Sequence, residues 1–180
     1  MHKNIDIIKV NTFPEYDILY CDPPWEDRMV KFFQTQLKKD TGLIVENDID
    51  LILNKLASLS NCNKPAFVEY SILGTERVIS HFENSGHKHI ETILGQQKNG
   101  LPYNIISFNT SLKLPDNPKG FNIVNYVVRS LKPNIVFDPF AGIGKTAEAV
   151  YKSGARYIGY ELNPKRYEKL MKVISKYESI

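Results

Sequence analysis

The sequence predicts an α/β fold: a Rossmann-like, doubly wound sheet of about seven mostly parallel strands, with one antiparallel strand in a hairpin at an edge. Three observations predict it. Short strand-like apolar runs alternate with helical apolar spacings along the whole chain. Two of those runs feed directly into loops of unusual composition, CDPPW and DPFAGIGKT. The 180 residues, 42% hydrophobic and 24% charged, amount to about one domain of ordinary globular composition, with no repeat or low-complexity linker to divide it. Residues 1–180 are therefore read as one domain.

Ile5 to Val10 and Asp17 to Tyr20 read as the first two strands, the second stopped by the paired prolines of CDPPW. Glu26 to Lys39 reads as a basic loop. Ile49, Ile52, Leu53, Leu56 and Leu59 repeat at helical spacing and precede a strand at Ala66 to Tyr70. A second helix carries Val78, Ile79 and Phe82 and ends at Gly86. Ile90 to Gly95 and Ile105 to Phe108 then read as a hairpin, joined by a segment containing Asn99-Gly100. Asn122 can cap a helix with Val124, Val127, Val128 and Leu131 on one face, which Pro133 stops before the strand Asn134 to Phe137. After DPFAGIGKT a helix runs to Gly154, Tyr157 to Tyr160 form the last strand, and Asn163-Pro164 opens a final helix.

Composition excludes several functions. The two cysteines, Cys21 and Cys62, belong to no metal-ligand spacing, so structural zinc and a disulfide framework drop out, and no metal site is expected. His81, His87 and His89 read as a surface helix end and loop. A net charge of +3 admits a polyanionic partner without demanding one. No apolar run approaches the roughly 20 residues that cross a bilayer, and MHKNIDIIKV lacks a signal-peptide core, so a cytoplasmic chain without membrane contact is expected.

The first chemical signal is the strand, glycine turn and helix start from Val136 to Thr146, where Gly142 and Gly144 allow a ligand close to the backbone. GIGKT has the ending of a phosphate-binding Walker A loop. That reading needs glycine at 139, where this chain has Pro139, and Asp138 would repel a triphosphate. An adenosine cofactor without phosphate fits better, and the cationic amino group of S-adenosyl-L-methionine suits Asp138. Seventeen residues beyond Gly144, Glu161 ends the next strand near the spacing at which a carboxylate accepts from both ribose hydroxyls. Either acid alone could merely cap the following helix; with the glycine turn, they bracket a ligand.

The second signal is Asp22-Pro23-Pro24-Trp25. The Asp22 carboxylate and the Pro23 carbonyl can accept both hydrogens of an exocyclic amine, and Trp25 offers a ring on which an aromatic base stacks. No base of high pKa is needed.

These two loops make the chain resemble the S-adenosyl-L-methionine-dependent DNA amino-methyltransferases, adenine-N6 type. The resemblance implies that DPPW at 22–25 holds a flipped adenine and that DPFAGIG at 138–144, with Pro139 and Phe140, holds the methionine part of the cofactor. Catalytic motif before cofactor motif resembles the circularly permuted beta group. In that group a segment before the glycine loop also contacts the cofactor, which here implies Lys119-Gly120-Phe121-Asn122. Ile5 to Asn11 falls where the group places the strand flanking the cofactor's adenine; Asn11, Cys21 and Asn163 complete the implied cofactor set. Lys145 and the loosely matching 119–121 depart from the family pattern, and the 180 residues are expected to leave no room for a target-recognition domain.

The expected activity is methyl transfer from S-adenosyl-L-methionine to adenine N6 in DNA, with RNA adenine and DNA cytosine N4 as alternatives within the fold. Restriction-modification in a bacterial, phage or plasmid setting is the context such enzymes imply. From a different class, a non-catalytic binding subunit could keep the same fold. DNA, or alternatively RNA, is the expected partner, with a second copy or a separate specificity subunit adding recognition or else with low sequence preference. Arg28, Lys31, Lys38 and Lys39 beside DPPW, and Lys113 in the 98–119 loop, are the expected phosphate contacts.

Overall fold

The computed structural model describes residues 2–97, 99–119 and 122–178. In them seven strands form one sheet: β1 (Lys3–Asn4), β2 (Ile18–Cys21), β3 (Ala66–Tyr70), β4 (His89–Gln96), β5 (Pro102–Phe108), β6 (Ile135–Asp138) and β7 (Arg156–Glu161). Their order is β1-β7-β6-β2-β3-β5-β4. Only β5 runs against its neighbours, pairing antiparallel with both β3 and β4; β1, β7, β6, β2 and β3 pair in parallel. The β4–β5 hairpin closes the edge through a turn in which Gly100 N–H donates to Gln97 O at 2.9 Å.

Among the described residues six α-helices cover the sheet: α1 (Asp27–Thr41), α2 (Ile49–Leu59), α3 (Thr75–Asn84), α4 (Asn122–Leu131), α5 (Lys145–Lys152) and α6 (Pro164–Glu178). Strand alternation sends successive side chains to opposite faces. On one face Leu19, Val68, Phe108, Phe137 and Ile158 pack with Val30 of α1, Leu53 and Leu56 of α2 and Val78 and Phe82 of α3. On the other, Ile18, Phe67, Ile105, Val136 and Tyr157 pack with Val124 and Val127 of α4, Ala147 and Val150 of α5 and Leu170 and Ile174 of α6.

Asp17 sets the central register. Its Oδ2 accepts from the backbone N–H groups of Asn134 and Ile135 at 2.8 and 3.0 Å, while its own N–H donates to Ile135 O at 2.9 Å. The entry of β6 is thereby fixed beside the entry of β2, giving the pairs Ile18↔Val136 and Leu19↔Phe137.

Three local expectations differ from the structure. Ile5 to Val10 is not a strand: the Asp6 carboxylate captures Ile8 N–H at 3.0 Å and coils Ile7–Lys9 into a 3-10 turn, leaving only Lys3–Asn4 to pair with β7. Glu26 to Lys39 is not a loop but most of α1. Val30 and Leu37 sit at helical spacing on its buried side, and Gly42 in the left-handed region ends it by donating to Lys38 O at 2.8 Å. His87 is buried, stacked edge-on against Phe82, with Asn109 Nδ2 on its Nδ1 at 2.8 Å.

Gly159 shows how closely the sheet approaches the loop after β6. A Cβ there would lie 2.9 Å from Ala141 Cβ and 2.6 Å from the Tyr157 ring. Gly159→Ala is expected to destabilise the fold by roughly 1–3 kcal/mol through overpacking, read as a lower midpoint in thermal or denaturant unfolding. An unchanged midpoint would show that the loop moves freely off the sheet.

Candidate active site

β2 and β6 are neighbours at the point where the strand order reverses, β2 leading outward to β3 and β6 to β7. Ligands of doubly wound sheets bind in the crevice at the carboxyl ends of such strands. Here both chemical loops open there. A cleft of about 1080 Å³ is lined by Asp22, Pro23, Pro24 and Trp25 after β2, by Phe140, Gly142, Lys145 and Thr146 after β6, and by Glu161 and Asn163 after β7. That volume slightly exceeds the ~300–1,000 Å³ typical of a single small-molecule pocket, which leaves room for two ligands side by side.

The loop after β6 is held from within. Asp138, 2% exposed, accepts Phe140 N–H on Oδ1 and the Tyr157 hydroxyl on Oδ2, both at 2.9 Å. Ala141 N–H donates to Tyr160 O at 2.8 Å, and Gly144 N–H to Ala141 O at 3.0 Å. Gly142 and Gly144 take φ of +57° and +90°, where a side chain is strained, and Gly144 then starts α5. Burial pushes the Asp138 carboxyl up to about 7, against the lowering effect of those two hydrogen bonds. Asp138 therefore braces the loop from behind; it does not line the cleft.

Glu161 does line it. Its Oε1 accepts Asn163 N–H at 2.8 Å, and its Oε2 lies 3.9 Å from Arg166 Nε. Burial raises its carboxyl, opposed by Arg166 and by backbone N–H groups. The Asn163 side chain caps α6 by accepting from Lys165 N–H at 2.9 Å and donates to Asp40 Oδ2 at 2.9 Å; Lys165 Nζ meets the other Asp40 oxygen at 2.8 Å. Arg166 lies over the Phe33 ring at 4.8 Å. These contacts join the carboxyl end of α1 to the amino end of α6, so that Met29, Phe33 and Asp40 of α1 wall the cleft.

On the cleft floor, Trp25 Nε1 donates to Asp22 Oδ1 at 2.7 Å, and the Trp25 ring runs nearly parallel to Tyr103 at 6.2 Å. Asp22 is open to the cleft yet surrounded by protein on its other sides. That setting raises its carboxyl, while the Trp25 hydrogen bond and the charges of Arg166 and Lys145 pull it back. An acceptor aimed into the cleft beside a flat ring can hold an amine donor.

Other residues singled out by sequence lie elsewhere. Cys21 and Pro139 are buried behind the loops, and Asn11 is exposed outside the lining. Asp6 and Ile7 of the 3-10 turn occupy the cleft end that Asn11 was expected to face. Lys119 is exposed; Gly120 and Phe121 lie outside the described residues, as does the side chain of Asn122. Arg28, Lys31, Lys38 and Lys39 are exposed along the side of α1 turned away from the cleft, and Lys113 is exposed before α4. Sequence reasoning missed Glu69, Tyr103 and Arg166, which all line the cleft. No group of ligands for a metal ion occurs among the described residues, and no helix among them is long and apolar enough to cross a membrane.

Residues 116–172, about a third of the chain, match the family model N6_N4_Mtase, described as DNA methylase. No curated protein matches the sequence. Among solved structures, the chain is similar to M1.HpyAVI, with 18% identity over 88% of this chain and 86% of that one and a TM-score of 0.58. It is similar to TTHA0409 of Thermus thermophilus, assigned as a DNA modification methylase, in complex with S-adenosyl-L-methionine: 16% identity, 96% and 91% coverage, TM-score 0.64. The PvuII DNA methyltransferase (cytosine-N4-specific) gives 9% identity, 95% and 87% coverage, and a TM-score of 0.60. The fold is the one these proteins share.

Asp138, Glu161 and Asp22 all have carboxyls raised by their surroundings. The folded chain then binds protons more tightly than the unfolded one, so these groups favour folding at low pH and cease to do so as pH rises through the raised values. For Asp138 that window runs from its ordinary value of 3.8 to about 7, at about 1.4 kcal/mol per unit. Asp138→Asn, which mimics the neutral acid, is expected to reduce the loss of unfolding free energy between pH 5 and pH 8, measured in urea. An identical pH slope in both proteins would show that Asp138 is not held protonated by the fold.

Proposed function

We propose that the protein is an S-adenosyl-L-methionine-dependent DNA amino-methyltransferase, acting on adenine N6 in preference to cytosine N4. One observation carries the reading: Asp22-Pro23-Pro24-Trp25 and the 138–144 glycine loop, more than a hundred residues apart, open with Glu161 into a single cleft. The family match over 116–172 and the cofactor complexes among the similar structures support it. Asp22 favours adenine, because cytosine-N4 enzymes usually begin the same tetrapeptide with serine.

The chain's residues fit the cofactor. Glu161 presents Oε2 for ribose hydroxyls, Gly142 brings bare backbone to the cleft wall, and Phe140, Ile143, Ile7 and Val30 supply apolar surface. When bound, S-adenosyl-L-methionine supplies an electrophilic methyl group. The protein does the positioning: Asp22 and the Pro23 carbonyl accept hydrogen bonds from the two amine hydrogens, so that the nitrogen lone pair faces the methyl group, and Trp25 limits tilt of the base. Alignment of this kind can contribute an effective molarity on the order of 10⁵ M or more. The base must be unpaired to present its amine, hence flipped or single-stranded.

Calorimetric titration with S-adenosyl-L-methionine is expected to show one site. Glu161→Ala should weaken it by about 1.5–3 kcal/mol through loss of charge-assisted hydrogen bonds. Asp22→Ala should abolish methyl transfer to DNA with cofactor affinity nearly unchanged, and nucleoside analysis of the product should give N6-methyladenine. No heat at millimolar cofactor would overturn the reading in favour of a non-catalytic binding subunit; N4-methylcytosine would correct the base.

The exposed stripe Arg28, Lys31, Lys38 and Lys39 on α1 is the proposed phosphate contact, with a second copy or a specificity subunit adding recognition. Replacing the four together is expected to flatten the dependence of log K on log salt by up to about four units. An unchanged slope would assign phosphate binding elsewhere.

A further inference from the structure

Glu69 is a carboxyl on a central strand that lines the cleft together with Asp22. The registers Tyr20↔Phe67 and Cys21↔Val68 place Asp22 and Glu69 next to each other at the ends of adjacent parallel strands. Alternation sends both side chains to the face shared by Tyr20, Phe67, Tyr103 and Ile105. Glu69 Oε1 is engaged: the Tyr20 hydroxyl donates to it at 2.6 Å. Asp22 Oδ1 is engaged by Trp25. Each carboxyl therefore has one oxygen left beside the cleft that both line together with Trp25 and Tyr103.

Two adjacent carboxyls oppose each other's ionisation, and the proton stays on the one less compensated by positive charge. Asp22 feels Arg166 and Lys145. Glu69 faces Asp22 and Tyr20 from β2, Asp138 from β6 and Tyr103 from β5, with no cation among its influential neighbours. Burial and Asp22 accordingly push the Glu69 carboxyl far above the usual carboxylate range, further than Asp22. The pair thus offers an acceptor beside a donor.

A base with a reactive amine shows the complement. Adenine has an acceptor, N1, next to its amine, and cytosine has N3. We propose that Glu69, as a neutral carboxylic acid, donates a hydrogen bond from Oε2 to the ring nitrogen adjacent to the reactive amine, while Asp22 accepts from the amine itself. The inference rests on the amino-methyltransferase reading and specifies its substrate as the unpaired amine-and-acceptor edge of a base. Glu69 is a positioning group. A hydrogen bond to the ring nitrogen draws electron density from the amine, so its benefit is orientation and not activation.

The test compares Glu69→Gln, whose amide can accept from Tyr20 and donate to the ring, with Glu69→Met, which can do neither. Methyl transfer from radiolabelled S-adenosyl-L-methionine is followed as kcat/KM on a random single-stranded oligonucleotide pool containing adenine, and on the same pool with 1-deazaadenine, which has C–H in place of N1. If the wild type methylates cytosine, 3-deazacytosine serves instead. E69M should lose roughly 10- to 100-fold on the natural base, the cost of an unmade buried hydrogen bond, and should lose the wild-type discrimination against the deaza base. E69Q should restore most of the rate and all of the discrimination. The wild type should decline at alkaline pH as Glu69 ionises, and E69Q should not.

E69Q as inactive as E69M would overturn the proposal, since an ionised carboxylate would then be required. Undiminished deaza discrimination in E69M would overturn it too, by reducing Glu69 to a structural role. Equal cofactor binding by wild type and both variants in calorimetry shows that the site has folded. A wild type that binds cofactor but methylates neither pool fails at the level of the enzyme reading, before Glu69 is in question.

Discussion

The site depends on one side chain at the far end of the sheet. Asp17 binds two successive N–H groups at the start of β6 and so fixes β6 against β2 in parallel. Parallel neighbours end on the same side, and both strands are short enough that the register at their entry is still the register at their exit. Asp22 and the glycine loop, distant in sequence, emerge side by side for that reason. The site is built where β2 and β6 diverge to opposite halves of the sheet, since only there does a crevice open between the chain's two windings.

Electrostatics divides labour among similar groups. Asp138 is enclosed and turned inward to a backbone N–H and a tyrosine hydroxyl, so it is spent on architecture. Glu161 uses one oxygen on the turn before α6 and has the other 3.9 Å from Arg166 at the cleft it lines. Asp22 has cations within reach and Glu69 does not. Burial raises all four carboxyls at the ends of adjacent strands, Glu69 further than Asp22, and the cations near Asp22 and Glu161 oppose it. Helix α1 shows the same economy with its two sides: Met29, Phe33 and Asp40 wall the cleft, and the basic residues face outward.

The fold class was legible because alternation of apolar spacing, hairpin glycine and proline stops all agree with the observed sheet. The two chemical loops were legible because their residue types are rare together. The first strand misled because Ile5 to Val10 is apolar enough to be extended, and only a side chain bonding its own backbone, Asp6 to Ile8, coils it. Helix α1 was hidden by its charge: a helix whose inner side faces a cleft needs fewer buried apolar residues than one facing a core, and its basic residues dominate the reading. Glu69 left no local trace. AFVEY is an ordinary strand sequence, and its meaning comes from the neighbour that β2 supplies, which no spacing along the chain reveals.

The bracing of the 138–144 loop has a consequence for binding. Its turns are set by bonds from Asp138, Tyr160 and Ala141 and by contact with the bare backbone of Gly159, all provided by the protein itself. Ordering a backbone residue costs about 1–2 kcal/mol, and a loop whose shape is settled during folding does not incur that cost again when a ligand arrives. Substitutions that loosen the bracing without touching the cleft should therefore weaken ligands through entropy, with every ligand of the loop losing affinity alike. Substitutions in the cleft wall change instead which ligand is preferred.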